Sequence, residues 1–293
     1  MDRKIVVYLA VALVVNLAQP THAQQSGKVH RIGVLSAAGA ASFSDNADAL
    51  RQGLRDLGYV EGKNLTIEYR YADGKIDRLT ELATDLVRLK ADVIASLAKP
   101  GGNVTGLASM QDELGGKRLE LLKEAFPKVS SVAVLWNPEE QSPAHGFKEL
   151  QSVAPSLGVK LQSFEVRKPN EIDKVFAGIA KRRVDAVLVE SDPVFNINRA
   201  KIIDHAAKGR LPAMYPERRW VKDGGLLGYG TDLVDLARRS AVFIDKILKG
   251  TKPVDLPVEQ PMKFELTINL KAAKQIGVVI QPEILARATT VIR

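Results

Sequence analysis

Hydrophobic positions along the chain repeat a pattern of short apolar runs, each followed by a helical stripe. Apolar, β-branched runs of the buried-strand type occur at RIGVLSA (31–37) and SVAVLWN (131–137). Each run precedes a stripe at helical spacing that ends in a Leu–Gly pair, at 57–58 and at 157–158. A glycine at this place is typical of the C-terminal cap of an amphipathic helix. The pattern therefore predicts the same strand–helix unit twice, 100 residues apart.

The parallel between the two halves continues through a second strand, a second helix and a third strand. The second strands are NLTIEYR (64–70) and KLQSFEVR (160–167), and the third strands are ADVIAS (91–96) and VDAVLVES (184–191). A helical stripe of apolar residues lies between them in each half. We therefore predict two βαβαβ units, which means an α/β protein with two lobes, each built on a parallel sheet.

After the third strand the two halves differ in length. The second half predicts a helix over 196–208 and a strand over 210–215 before it reaches GGLLGYG (224–230). The first half passes from Ser96 to GGNVTGL (101–107), which makes it 28 residues shorter. We interpret the difference as the loss of about one αβ unit from the first lobe. The alternatives are halves that were never equal, or a long loop in the first half.

The N-terminus has the three parts of a secretory signal peptide. A charged start (2–4) precedes an apolar run (5–17), and small residues flank a cleavage site at Ala23. A membrane anchor is the alternative, but a bilayer-spanning helix needs ~20 apolar residues and this run is shorter. We therefore expect export, with cleavage near Ala23.

Composition and motifs exclude several classes of function. The chain has a net charge of +8, but its basic residues alternate with acidic ones, which indicates a solvated surface and no nucleic-acid site. It has no cysteine, and its four histidines lack metal-ligand spacing. It contains no P-loop and no Gly-x-Ser-x-Gly nucleophile elbow. We therefore expect no cofactor, no metal site and no enzymatic activity.

Candidate ligand-binding residues follow from the position of sites in parallel sheets. Ligands bind outside the carboxyl ends of the strands, where helix N-termini attract carboxylates. This rule selects seven residues: Ser36, Ala37, Ser96, Asn137, Ser191, Asp192 and Tyr215. Tyr229 is added as an eighth because it lies between two glycines near a predicted hinge.

Three of these residues have two interpretations. Asp192 could receive the amino group of a ligand, or it could cap the helix that begins at Pro193. Asn137 could contact the ligand or start a turn. Tyr229 could lay its ring on the ligand or pack at the hinge.

Several blocks of sequence, in order along the chain, resemble one protein family. They include LAKPGGNVTGLASM, GGKRLELLKEAFPKVSSVAVLWNP and GGLLGYGTDLVDLARRSAVFIDKILKG. The chain resembles the ABC transporter substrate-binding family that includes tryptophan- and phenylalanine-binding lipoproteins. Family members have several tens of residues between DVI and LAxPGGN, so the resemblance implies an internal deletion near residues 95–98. This chain also lacks the lipobox cysteine, which implies a freely soluble periplasmic form.

The resemblance implies a type I periplasmic binding protein, with two Rossmann-like lobes joined by a hinge of three chain crossings. Glycine-rich segments at 101–107 and 224–230 and the strand FELTIN (264–269) are the predicted crossings. The expected parts are a signal peptide (1–23), an N-terminal lobe (28–110 plus 230–255) and a C-terminal lobe (111–229 plus 256–293).

The implied function is that of the periplasmic solute-binding component of an ABC importer. Such a protein binds an amino acid or similar small organic solute between its lobes, presents its closed face to the permease subunits, and works as a monomer. The alternative is a non-transporting sensor or a decayed paralogue, because the missing unit removes part of the first lobe.

Overall fold

The computed structural model describes residues 28–96, 109–139 and 141–293, which form two lobes with separate sheets. The predicted signal peptide and the predicted crossing at 101–107 lie outside these ranges. None of the helices within them combines the length and hydrophobicity that a membrane span needs.

The first lobe is built on a parallel sheet of three strands in the order β2-β1-β3. Its elements are β1 (His30–Ser36), α1 (Ala40–Asp56), β2 (Leu65–Tyr71), α2 (Leu79–Arg88) and β3 (Val93–Ser96). The predicted stripe on α1 is the buried one, since Ala47, Leu50 and Leu54 lie in the core of this lobe. Gly58 follows α1 with a φ of +90°, as expected of a glycine cap.

The second lobe is built on a sheet of seven strands in the order β10-β9-β8-β7-β6-β4-β5. All neighbours are parallel except β8 and β9, which are antiparallel. The strands are β4 (Ser131–Trp136), β5 (Lys160–Glu165), β6 (Ala186–Val189), β7 (Ala213–Tyr215), β8 (Leu227–Thr231), β9 (Phe264–Asn269) and β10 (Thr290–Ile292). The helices are α3 (Gly115–Ala125), α4 (Gln141–Val153), α5 (Ile172–Lys181), α6 (Pro193–Ile197), α7 (Arg199–Lys208), α8 (Arg218–Lys222), α10 (Leu270–Ile276) and α11 (Pro282–Arg287).

Strand order confirms the internal repeat and the deficit in the first lobe. The order β2-β1-β3 matches the order β5-β4-β6 of the second lobe. The second sheet then continues to β7 through α7, whereas the first lobe has no such strand or helix among the residues that the structure describes. As a result β3 lies at the edge of its sheet, where Ile94 is 38% exposed.

Two predicted boundaries were wrong for local reasons. The helix predicted over 196–208 begins earlier, at Pro193, and is interrupted at Asn198, whose side-chain amide donates to the carbonyl of Val194 at 2.7 Å. Such a side-chain bond competes with regular helix geometry. The strand predicted over 184–191 is shorter, Ala186–Val189, and the side chain of Asp185 just before it accepts hydrogen bonds from the backbone N–H groups of Ser130 and Ser131.

A helix from the C-terminal half of the chain, α9 (Leu233–Leu248), completes the first lobe. Its residues Ala241 and Ile244 are buried in the core of that lobe. At its end, Asp245 accepts a hydrogen bond from the hydroxyl of Tyr59 at 3.0 Å. The chain thus returns to the first lobe after β8 and leaves it again before β9. The domain boundaries given above remain a prediction.

The contact between α1 and α9 depends on a glycine, which gives a first prediction. A Cβ added to Gly53 of α1 would lie 2.4 Å from the backbone oxygen of Arg238, an atom that cannot move away without shifting α9. Gly53→Ala should therefore lower the free energy of unfolding by about 1–3 kcal/mol, measured by chemical denaturation.

The matched control is a glycine of α5 that has room for a methyl group. A Cβ on Gly178 would meet its nearest neighbour, a ring carbon of Phe164, at 3.6 Å. Gly178→Ala should raise the free energy of unfolding by about 0.5–1 kcal/mol through helix propensity. Equal effects of the two substitutions would contradict the proposed close packing of α1 and α9.

Candidate functional site

A cavity of about 330 Å³ lies between the two lobes, at the carboxyl ends of strands from both sheets. The first lobe lines it with residues that follow β1 and β2: Ala37, Ala38, Gly39, Ser42, Asp73 and Gly74. The second lobe lines it with residues that follow β6 and β7: Pro193, Asn196, Ile197, Arg199 and Arg219. Depressions of about 440 and 530 Å³ on the second lobe are lined by that lobe alone. Of the two described cavities that both lobes line, this one is the larger, and it is therefore the candidate site.

The wall of the first lobe consists of two loops that are tied together by hydrogen bonds. The hydroxyl of Ser36 accepts from the N–H of Ala38 at 3.1 Å, and the carbonyl of Ala37 accepts from the N–H of Gly74 at 2.8 Å. These bonds hold Asp73, which has a φ of +50°, against the start of α1. A Cβ added to Gly39 would lie 2.7 Å from the Asp73 carboxylate. A carboxylate and the N–H groups of a helix N-terminus therefore meet at one corner of the cavity.

The wall of the second lobe is held by Asp192, which is 1% exposed. Its carboxylate accepts from the N–H groups of Val194 at 2.7 Å and Phe195 at 3.3 Å, and from the side-chain amide of Asn137 at 3.1 Å. Asp192 is therefore the N-cap of α6, one of its two interpretations above. Its bonds fix the turn that carries Pro193 into the cavity wall.

Two arginines give the second-lobe wall its positive charge. Arg199 forms an ion pair with Asp223 and also donates to the carbonyl of Asn196 at 2.8 Å. Arg219 lies on α8, partly buried, and no carboxylate among the described side chains lies within 4.0 Å of its guanidinium. Of the two, Arg219 has the more available charge.

The lobes touch each other beside the cavity. The side chain of Ile197 lies 2.5 Å from the position that a Cβ on Gly74 would occupy. Lys222 of the second lobe forms an ion pair with Asp45 of the first at 2.8 Å, and this hydrogen bond holds the pKa of Asp45 below its usual value. The conformation is therefore a closed one, with the two lobes in direct contact.

A smaller cavity of about 50 Å³ lies beside the Asp45–Lys222 pair and contains the carboxylate of Glu265. Glu265 is 5% exposed, and Arg218 approaches it at 3.1 Å. Burial raises the pKa of Glu265 to about 7, although the charge of Arg218 opposes the shift. A volume of this size has room for about one or two waters.

Most of the eight residues selected from the sequence lie behind the cavity, and only Ala37 lines it directly. Ser36, Asn137 and Asp192 hold the lining loops through the bonds given above, with Ser191 next to Asp192. Ser96 is exposed at the end of β3. Whether any of these residues contacts a ligand remains a prediction.

The two tyrosines occupy packing positions. Tyr215 is 1% exposed and stacks on Trp220 with ring centroids 5.0 Å apart, and burial raises its pKa. Tyr229 stacks on Phe264 at 6.3 Å, and its carbonyl accepts from Arg118 at 2.8 Å. Tyr229 therefore packs at the predicted hinge, in line with the second of its two interpretations.

Sequence reasoning missed all three charged residues of the lining: Asp73 on the first-lobe wall, and Arg199 and Arg219 on the second. Asp73 lies two residues after β2, so the rule on carboxyl ends would have found it if applied to the second strand. Arg219 follows β7 by four residues, and nothing in its local sequence separates it from Arg218 and Lys222 beside it.

Comparisons with known proteins agree with the fold. The model of the family described as ABC transporter substrate binding protein matches residues 83–292. A tyrosine-binding protein of Clostridioides difficile (strain R20291) is 22% identical over 296 residues, covering 89% of this chain and 85% of that protein.

Solved structures of two-lobed binding proteins are similar over most of the chain. A conserved domain protein from Vibrio cholerae is 25% identical with a TM-score of 0.79. An ABC domain from Streptococcus pneumonia in complex with L-Trp is 23% identical with a TM-score of 0.80. In both cases the match covers 90% of this chain and 100% of the other. The fold is therefore that of a type I periplasmic binding protein.

The raised pKa of Glu265 predicts a pH dependence of stability. Between pH ~4.5 and 7 the folded state keeps a proton that the unfolded state releases, so the free energy of unfolding should fall as pH rises through this window and level off above it. Glu265→Gln removes this titration. The stability of the wild type relative to this variant should therefore fall by roughly 1–3 kcal/mol from pH 4.5 to 8.

Chemical denaturation of both proteins at several pH values measures this difference. Because other groups titrate equally in the two proteins, only the difference between them reports on Glu265. A difference that stays constant with pH would show that Glu265 keeps an ordinary pKa.

Proposed function

We propose that this chain, which belongs to the ABC transporter substrate-binding protein family, is the solute receptor of an importer and binds an amino acid between its lobes. The observation that carries the proposal is the cavity lined by both lobes at the carboxyl ends of their strands. Its volume of about 330 Å³ lies at the lower end of the ~300–1,000 Å³ typical of small-molecule sites. A small metabolite therefore fits it better than a polymer.

The corner of the cavity formed by the N-terminus of α1 and by Asp73 is suited to the carboxylate and ammonium groups that all α-amino acids share. The first-turn N–H groups of α1 have no partner within the helix and carry positive partial charge, which favours a carboxylate. Asp73 lies beside them and can accept an ammonium group. The carboxylate and ammonium of an α-amino acid are attached to the same carbon, so they can reach the helix N-terminus and Asp73 together.

Two of the similar proteins support the amino acid class. One is described as tyrosine-binding, and the other was solved with L-Trp. We extend to this chain only the class of ligand, an amino acid, because the identities are 22% and 23%.

The importer role adds a partner and a location to the proposal. In this role the exported chain works in the periplasm as a monomer, and the permease subunits recognise its closed form. The contacts that close it include Asp45–Lys222 and Gly74–Ile197. An ion pair this exposed contributes about 0–1 kcal/mol, which a permease can overcome when it opens the lobes.

The second candidate function is that of a sensor or a decayed paralogue, and the short first lobe favours it. The outer edge of β3 has no strand beside it among residues 28–96, 109–139 and 141–293, which the structure describes. A smaller lobe encloses less of a ligand, whereas typical sites bury ~70–90% of its surface. Calorimetry on the chain from Gln24 onward, with each of the twenty amino acids, separates the two candidate functions. A receptor binds at least one amino acid tightly, whereas a decayed paralogue binds none.

A variant that fills the cavity tests whether binding occurs there. Ala38 lines the cavity, so the indole of Ala38→Trp should occupy the space of the ligand and weaken binding at least ~100-fold by calorimetry, a loss of about 2.7 kcal/mol. Ser44 lies in the second turn of α1, the helix that follows Ala38, and is exposed and outside the lining. Ser44→Trp should leave affinity unchanged. Equal affinities for the two variants would place the ligand elsewhere.

A further inference from the structure

The two walls of the cavity differ in charge, and this difference indicates which amino acids fit. The first-lobe wall carries Asp73 and the N-terminus of α1, which match the ammonium and carboxylate common to all amino acids. The second-lobe wall carries Arg199 and Arg219 and contains no carboxylate among the described lining residues. An amino acid held by its ammonium and carboxylate at the first-lobe wall would direct its side chain toward these guanidinium groups.

Arg219 is the stronger attractor of the two. Arg199 is already paired with Asp223, whereas the guanidinium of Arg219 has no such partner among the described side chains. The charge of Arg219 also helps to lower the pKa of Asp45, but Asp45 is itself paired with Lys222. An arginine in a half-enclosed site with no ion pair of its own favours a ligand that brings a carboxylate, because charge-assisted and bidentate bonds to a carboxylate are the strongest that it forms.

The lining combines charged and amide groups with an apolar surface made of small residues, Pro193 and Ile197. None of the described lining residues is aromatic. Ile197 is moreover in contact with Gly74 of the opposite wall. An indole or phenol ring placed here would have no ring to stack on among the described lining residues and would leave the two guanidinium groups without an anion.

We propose that the ligand is an α-amino acid with an acidic side chain, with Arg219 and Arg199 binding the side-chain carboxylate and Asp73 binding the ammonium. The proposal rests on the proposed function, which it narrows from amino acids in general to dicarboxylic ones. Three charges on the ligand then meet three complementary charged groups: the N-terminus of α1, Asp73 and the arginine pair.

Calorimetry with matched ligands tests each of these contacts. L-Glutamine has nearly the shape of L-glutamate without the side-chain charge, and glutarate has both carboxylates without the ammonium. Wild-type protein should bind L-glutamate or L-aspartate at least ~10-fold more tightly than L-glutamine, L-tyrosine and L-tryptophan.

Two variants should separate the roles of the walls. Arg219→Gln should remove most of the preference for L-glutamate over L-glutamine. Asp73→Asn should weaken the affinity for L-glutamate at least ~10-fold and change the affinity for glutarate by less than about threefold. Arg88→Gln removes the same charge from an exposed position on α2, outside the cavity, and should change none of these affinities.

The outcomes that contradict the proposal are distinct from those that contradict the function. Tighter binding of L-tyrosine or L-tryptophan than of L-glutamate would overturn the acidic side chain and leave an amino acid receptor. A glutamate preference that survives Arg219→Gln would also overturn it. Failure of every amino acid to bind would overturn the proposed function, and this inference with it.

Discussion

The packing of α9 against α1 is the contact on which the rest of the structure depends. A three-stranded sheet covered only by α1 and α2 buries little apolar surface, and α9 supplies Ala241 and Ile244 to the missing part of its core. Because α9 follows β8 of the second lobe, the chain must pass from lobe to lobe to reach it. These passages keep the two sheets together, with their carboxyl ends facing one cavity. The packing of α9 on α1 therefore both completes the core of the short lobe and positions the site.

A buried guanidinium stabilises the region where the chain passes between the lobes. Arg118 on α3 is 0% exposed and donates to the carbonyls of Gln111 at 3.1 Å, Tyr229 at 2.8 Å and Pro216 at 3.2 Å. Gln111 follows one passage and Tyr229 precedes another, so a single side chain fixes both to the second lobe. Glu190, which is equally buried, lies 3.7 Å away and balances the charge. Arg118 therefore anchors both passages to the second lobe at one point.

The sequence predicted the repeat, the succession of strands and helices along each unit and the shortened lobe, because buried strands and amphipathic helices leave periodic patterns and lengths can be compared between halves. The strand FELTIN was predicted to the residue. The site was predicted only in part. Ala37 lines the cavity, but a sequence could not distinguish the cap Asp192 from a ligand contact, since both interpretations need a carboxylate after a strand. Arg219 was missed because its distinguishing property is that no described carboxylate lies within 4.0 Å of its guanidinium, which depends on how α8 packs and not on local sequence.

The central claim is that the two lobes close on a small solute, and the distance between the lobes tests it most directly. The chain has no cysteine, so Val87→Cys and Lys208→Cys introduce spin labels only at exposed positions of α2 in the first lobe and α7 in the second. Double electron–electron resonance should give a broad distance distribution without ligand and a single narrow one with a saturating amino acid. A distribution that no amino acid changes would contradict closure of the lobes on a solute.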